Sequence, residues 1–333
     1  MNNNDKKERT GITAFLSLFI FALSVGLVIL TDYSGITVMA ESRAERGVFN
    51  KRAENEMVSE LISDRSGYLR IPLPDTVEEG DIDVIEEPLK KRIFIQISGV
   101  DEDYYKENFF SGDMTGIRDV KYGFLNGIST VELETEKIRV PVTDYIRGSF
   151  YVNVASPAEI YDRVVVIDPG HGGDDPGSIV YGVEEKVVTA NVALKLGKEL
   201  ESRGAKVYLI NREEASVSES DIARTVNECD ADLLLTLHTG ADADTRTTKG
   251  VEARASDDMK EKAEILTGML SASCDQRDLK VSEGKVPEGL SDIPCIWLRL
   301  GVITNKEEAL KMNSEGYQDK AVKTIADFIL NRL

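Results

Sequence analysis

Arg163-Val164-Val165-Val166-Ile167-Asp168-Pro169-Gly170-His171-Gly172-Gly173 joins a short β-branched run to a histidine set between glycines. A run of Val and Ile without polar interruption reads as a strand buried on both faces, the signature of a parallel sheet covered by helices. Pro-Gly-His-Gly-Gly cannot continue it and forms the loop at its carboxyl end, the side on which open α/β sheets carry their sites.

The sequence holds one other histidine, His238, and it ends a second apolar run, Asp232-Leu233-Leu234-Leu235-Thr236-Leu237. Two strand-end histidines read either as a metal pair or as two unrelated side chains. Between them, Val183-Glu184-Glu185-Lys186 opens a helix that runs to Arg203 and stops at Gly204. Val188, Val192, Ala193, Leu196 and Leu200 keep helical spacing and give it a face to lay on the sheet. A carboxylate in that first turn faces the strand ends. Two neutral imidazoles and one carboxylate leave a fourth zinc position open, the catalytic pattern and not the closed structural one.

Ile167 to Gly173, Asp175-Pro176-Gly177, Glu185-Lys186, Leu237-His238 and Gly250-Val251-Glu252 resemble, in order and spacing, the zinc-dependent N-acetylmuramoyl-L-alanine amidases of the amidase-3 type. The resemblance runs from about Val164 to the C-terminus, and several ordered motifs are more specific than one. It implies Zn2+ held by His171, Glu185 and His238, with Glu184 the carboxylate if the register slips by one. It also implies peptidoglycan as substrate, cut between the lactyl group of N-acetylmuramic acid and L-alanine of the stem peptide.

One departure bears on the chemistry. The family's catalytic glutamate lies in a late strand of the form Val-Glu-x-Gly-Phe-x-x-Asn, and aligning Gly301 and Asn305 puts Arg299 at its position. Arginine is no base at working pH. A guanidinium there would repel a cation, or hold a stem-peptide carboxylate, or stabilise an oxyanion. Gly240 stands where the family has asparagine, and Val302 replaces phenylalanine. A shifted alignment would leave the base to Asp174, Asp175 or Glu252. Two functions therefore stand side by side: a cell-wall hydrolase, and a zinc-retaining but hydrolysis-impaired relative that acts as a peptidoglycan-binding or regulatory module.

The rest of the 333 residues surrounds this half. A net charge of −19 with no basic patch argues against nucleic acid as partner. Lys6, Lys7 and Arg9 precede Ile12 to Leu30, nineteen residues without a charge. That length spans a bilayer, and the basic flank predicts a cytoplasmic N-terminus, residues 1–11, with everything after Thr31 outside the cell membrane. The rival is a cleaved signal peptide with Val38-Met39-Ala40 as its site, though the apolar run exceeds the usual about 7–15 residues.

Residues 31–89 read as a charged stalk, with a helix over Arg52 to Ile62 and an acidic stretch at Glu78 to Asp83. Arg92 to Ile97, Ser129 to Glu134 and Ser149 to Val154 alternate as half-exposed strands, so residues 90–156 predict a small β-rich module. It resembles the wall-targeting modules that precede amidase domains; the alternative is a plain spacer. From residue 157 onwards strands and helices alternate, predicting an α/β domain with a mostly parallel sheet and helices on both faces. Cys229, Cys274 and Cys295 form no disulfide framework and read as small buried hydrophobes.

Overall fold

The computed structural model describes residues 36–37, 65–210, 217–241, 248–275, 278–281, 286–290 and 292–333. The apolar run at 12–30 and the helix expected over 52–62 lie outside them. Among the described residues no helix is long and apolar enough to cross a membrane.

After β1 (Ile36–Thr37), the described residues from 65 to 155 are mainly strands: β2 (Leu69–Pro72), β3 (Ile82–Glu87), β4 (Arg92–Ser98), a one-turn α1 (Tyr104–Glu107), β5 (Ser111–Gly112), β6 (Ile117–Leu125), β7 (Ile128–Thr135), β8 (Val140–Ile146) and β9 (Ser149–Ala155). They form two four-stranded antiparallel sheets, ordered β5-β2-β9-β8 and β3-β4-β7-β6. Alternation drives the packing. Ile93, Ile95 and Ile97 of β4 are buried while their neighbours are not, and they share a core with Ile71, Val131, Leu133, Phe150 and Val152.

This corrects the stalk, because residues 69–72 and 82–87 are not linker but strands paired with β9 and β4. They escaped a composition-based reading because β2 is only four residues long and ends in proline. Edge strand β3 carries Asp83, Glu86 and Glu87, charges that an edge tolerates and that hide a period of two.

The second half begins with α2 (Pro157–Ile160), started by the Ser156/Glu159 capping box. It continues through β10 (Val164–Pro169), β11 (Ile179–Val180), β12 (Val183–Glu184), α3 (Glu185–Ser202), β13 (Lys206–Ile210), α4 (Glu219–Glu228), β14 (Leu233–Gly240), β15 (Val251–Ala255), α5 (Lys260–Ser273), β16 (Asp278–Val281), β17 (Cys295–Val302), α6 (Lys306–Met312) and α7 (Glu315–Arg332). The sheet order is β1-β13-β10-β14-β17-β15-β16.

The strands that carry the site, β13, β10, β14 and β17, run parallel, but β1 pairs antiparallel with β13 and β15 antiparallel with β17, so the sheet is mixed and not mostly parallel throughout. No helix stands between β14 and β15 among the described residues, and a strand reached without a helical crossover is free to return against the sheet.

Both faces are covered. Val188, Val192, Leu196 and Leu200 of α3 pack with α5 and α7 over Val165, Ile167, Leu235 and Leu237. On the other face Ile222 and Val226 of α4 cover Val164, Val166, Tyr208 and Leu234, in a core that also takes in Ile138 and part of Leu89 from the β half. Polar contacts cross the same seam: Lys206 to Glu86 at 3.0 Å, Lys91 to Glu228 at 2.9 Å, and the Ser156 hydroxyl to Asp230 at 2.9 Å. The three cysteines are free and buried.

Burial opposes the charge on Lys206, yet the Glu86 carboxylate holds its pKa above the ordinary lysine value. Glu86→Gln should therefore destabilise the protein by roughly 2–3 kcal/mol, toward the low side for a broken buried pair because Glu86 keeps some exposure. Urea unfolding measures this, and an unchanged midpoint would show that Lys206 is satisfied without Glu86.

Candidate metal centre

Pairing of β10 with β14 sets Pro169, the last residue of β10, opposite Leu237, with His238 one residue beyond that rung within β14 and His171 two residues beyond it in the loop after β10. The loop between β10 and α3 is drawn onto the helix start by four bonds. The Glu185 and Lys186 N–H groups donate to Ser178 O and Pro176 O at 3.0 and 3.2 Å, the Lys186 ammonium to Gly173 O at 3.0 Å, and the Thr189 hydroxyl to Gly170 O at 2.9 Å. Glu185 is thereby the first residue of α3, pointing its carboxylate where the helix dipole favours negative charge.

His171, Glu185 and His238 converge, each offering one ligand atom, and these atoms lie within 4.8 Å of one another. Glu185, 3% exposed, bridges the two rings: Oε2 is 3.3 Å from His171 Nε2 and Oε1 is 3.3 Å from His238 Nδ1. Two backbone N–H groups, Thr239 at 2.8 Å and Ser178 at 3.1 Å, donate to the same carboxylate. Burial alone would raise the Glu185 carboxyl, but these four partners outweigh it and hold it below the usual carboxylate range. The hydrogen bond to Glu185, opposed by burial and reinforced by Asp175, pushes the His171 imidazole up to about 9.

The surrounding backbone is cut to fit this cluster. A Cβ on Gly170 would stand 2.3 Å from the His238 ring, and one on Gly177, whose φ is +63°, would stand 2.7 Å from the His171 ring and 2.9 Å from Glu185. His171 itself holds a φ of +67°, a costly conformation for a residue with a side chain, and the Gly172–Asp175 backbone pair at 2.9 and 3.0 Å maintains it. These residues fit a divalent metal: two imidazoles, one carboxylate and room reserved by glycine.

Glu184 is not in the cluster. It lies in β12 opposite Ile179 and serves as the residue before the helix, so the register does not slip. Asp175, weighed in the sequence only as a substitute base, has a different place: its carboxylate meets His171 Nδ1 at 2.8 Å and accepts the Gly177 N–H at 3.0 Å. That is the place of an outer carboxylate that would orient the imidazole toward a metal, and its spacing of four residues from His171 was the available signal.

Arg299 stands in β17 with His238 as its cross-strand neighbour on one side and Glu252 on the other. Its Nη1 meets Glu252 Oε2 at 2.6 Å, with both side chains partly buried. The positive charge that would repel a metal is thus offset within one rung of the sheet. Gly301 lies near the end of β17 and Asn305 beyond it: the Asn305 side chain caps α6 by accepting the Glu307 and Glu308 N–H groups, and buried Glu308 accepts the Val302 and Gly250 N–H groups.

A profile described as N-acetylmuramoyl-L-alanine amidase matches residues 165–331. N-acetylmuramoyl-L-alanine amidase LytC of Bacillus subtilis (strain 168) is 29% identical over 175 residues, covering 50% of this chain and 35% of LytC. The probable cell wall amidase LytH of Staphylococcus epidermidis is 26% identical over 196 residues, covering 54% of this chain and 64% of LytH. The chain thus spans about a third of the first relative and under two thirds of the second. The solved N-acetylmuramoyl-L-alanine amidase from Clostridium difficile 630 is similar with a TM-score of 0.47 and 28% identity, over 50% of this chain and 95% of that one.

In metal-free protein the folded His171 ring holds its proton more tightly than the unfolded one, so this pair's stabilisation is fully present below about 6.5 and is lost as pH rises through about 9. Thermal unfolding in chelator should show that decline in the wild type and not in His171→Asn. Equal pH profiles for the two proteins would remove the His171–Glu185 pair as a stabilising contact.

Proposed function

We propose that this chain, which belongs to the N-acetylmuramoyl-L-alanine amidase family over residues 165–331, is a zinc-dependent cell-wall hydrolase. It cleaves the amide between N-acetylmuramic acid and L-alanine of the peptidoglycan stem peptide. The observation that carries the proposal is the convergence of His171, Glu185 and His238 against a backbone whose glycines at 170 and 177 leave no room for a side chain. The names of the relatives support the substrate class.

His171, Glu185 and His238 would hold the zinc, and when bound it polarises the scissile carbonyl and acidifies a nearby water. The chain's own contribution is preorganisation. Asp175 fixes the His171 ring, and two N–H groups fix Glu185, so neither ligand must reorganise during turnover.

Proton transfer is where this chain is weak. Arg299 cannot accept a proton, and Glu252, the carboxylate on the next strand, is already bound to Arg299. That pair favours, as a second reading, a metal-retaining domain that binds peptidoglycan and turns it over slowly.

Digestion of purified peptidoglycan by the full chain with zinc should release new L-alanine amino termini. His171→Ala should abolish the release and lower bound zinc from about one equivalent. Intact peptidoglycan after prolonged digestion by zinc-loaded protein would decide for the binding reading.

Arg299→Glu should raise kcat by roughly 10²–10⁴-fold, the usual worth of a general base. It places two carboxylates across one strand pair, which lifts the pKa of one toward working pH. Zinc content is the control; a kcat that falls with zinc retained would assign arginine a positive part in the reaction.

A further inference from the structure

Two alternate rungs, separated by Leu237–Leu298–Ala253, cross β14, β17 and β15: His238–Arg299–Glu252 and Thr236–Trp297–Arg254. Residues two apart in a strand share a face, so all six side chains lie on one side of the sheet. The opposite side carries Leu237, Leu298 and Ala253 in the core under the helices. On the side that Trp297 shares, Arg254, Trp297, Arg299 and Glu252 keep partial exposure.

Trp297 is the centre of this surface. The His238 ring lies 4.6 Å from its ring, the Arg254 guanidinium carbon 4.9 Å and the Arg299 guanidinium carbon 5.0 Å. Contact with an aromatic face holds a guanidinium in place without using its N–H donors. Glu252 takes one donor of Arg299, while the Nε groups of Arg254 and Arg299 are buried without a partner. Among the described residues no carboxylate pairs with Arg254. Two cations against one paired anion leave a positive surplus beside a centre otherwise built with carboxylates.

We propose that Arg254 and Arg299, braced on Trp297, form a carboxylate-recognition ledge that reads a free acid group on the stem peptide. The inference rests on the amidase reading, which puts the scissile amide at the His171–Glu185–His238 cluster. Strands are about 4.8 Å apart, so Arg299 lies one strand and Arg254 two strands from His238. An extended peptide advances about 3.3–3.6 Å per residue, which carries the chain from L-alanine to the α-carboxylate of an acidic second residue in that distance. Forked guanidinium donors suit a planar carboxylate.

The test uses zinc-loaded full chain and two probes that differ only at that group, N-acetylmuramoyl-L-alanyl-D-glutamate and N-acetylmuramoyl-L-alanyl-D-isoglutamine. Calorimetry should show the acid binding about 10- to 100-fold more tightly than the amide, the range of a charge-assisted hydrogen bond. Arg254→Gln should erase the preference and leave the amide probe unchanged, and Arg254→Lys should restore part of it. Equal wild-type affinities, or an equal loss for both probes in Arg254→Gln, would overturn the ledge. Preference without cleavage would support the ledge while failing the hydrolase reading; cleavage without preference would do the reverse.

Discussion

The carboxylate of Glu185 is the constraint on which the site depends. A charge at 3% exposure is stable only if every lone pair is met, and meeting them requires the end of β14, the loop after β10 and the start of α3 to arrive at one point. The Thr239 N–H comes from the first of these, the Ser178 N–H from the second, and the helix N-terminus adds its dipole. The glycines at 170 and 177 follow from the same requirement, since any side chain there would displace a ring that Glu185 needs. Removing the carboxylate would thus disturb the geometry of both histidines along with the charge.

Much of this was legible in the order of residues. Val164 to Ile167 and Leu233 to Leu237 could only be buried strands, and Val188, Val192, Leu196 and Leu200 could only be the sheet-facing side of α3, because apolar period and length leave few alternatives. Two histidines at strand ends and a glutamate at a helix start carry local signals that survive without coordinates.

What stayed hidden was either masked by charge or set by distant pairing. β3 carries three acids in six residues, so its edge position overrode the composition rule that marked it as stalk. The reversal of β15 is decided by its partner β17, and no local residue announces it. Arg299 was visible as an anomaly, but its pairing with Glu252 was not, since the two are 47 residues apart and cross-strand register is a tertiary fact. Trp297 belongs to the same class. Its meaning comes from the arginines and the histidine that neighbouring strands bring to it.

Ile138 and Leu89 belong to a core whose other members are Val164, Val166 and Tyr208. The two halves of the chain therefore share an interior and are not beads on a string. A catalytic half cut free at Ser156 would carry an apolar scar along the face under α4 and would lose the anion that accompanies Lys206. The α/β half of this chain is thus no interchangeable cassette: whatever the β half touches is held at a fixed distance and bearing from His171, so the pair acts as a caliper and not as a hook on a tether.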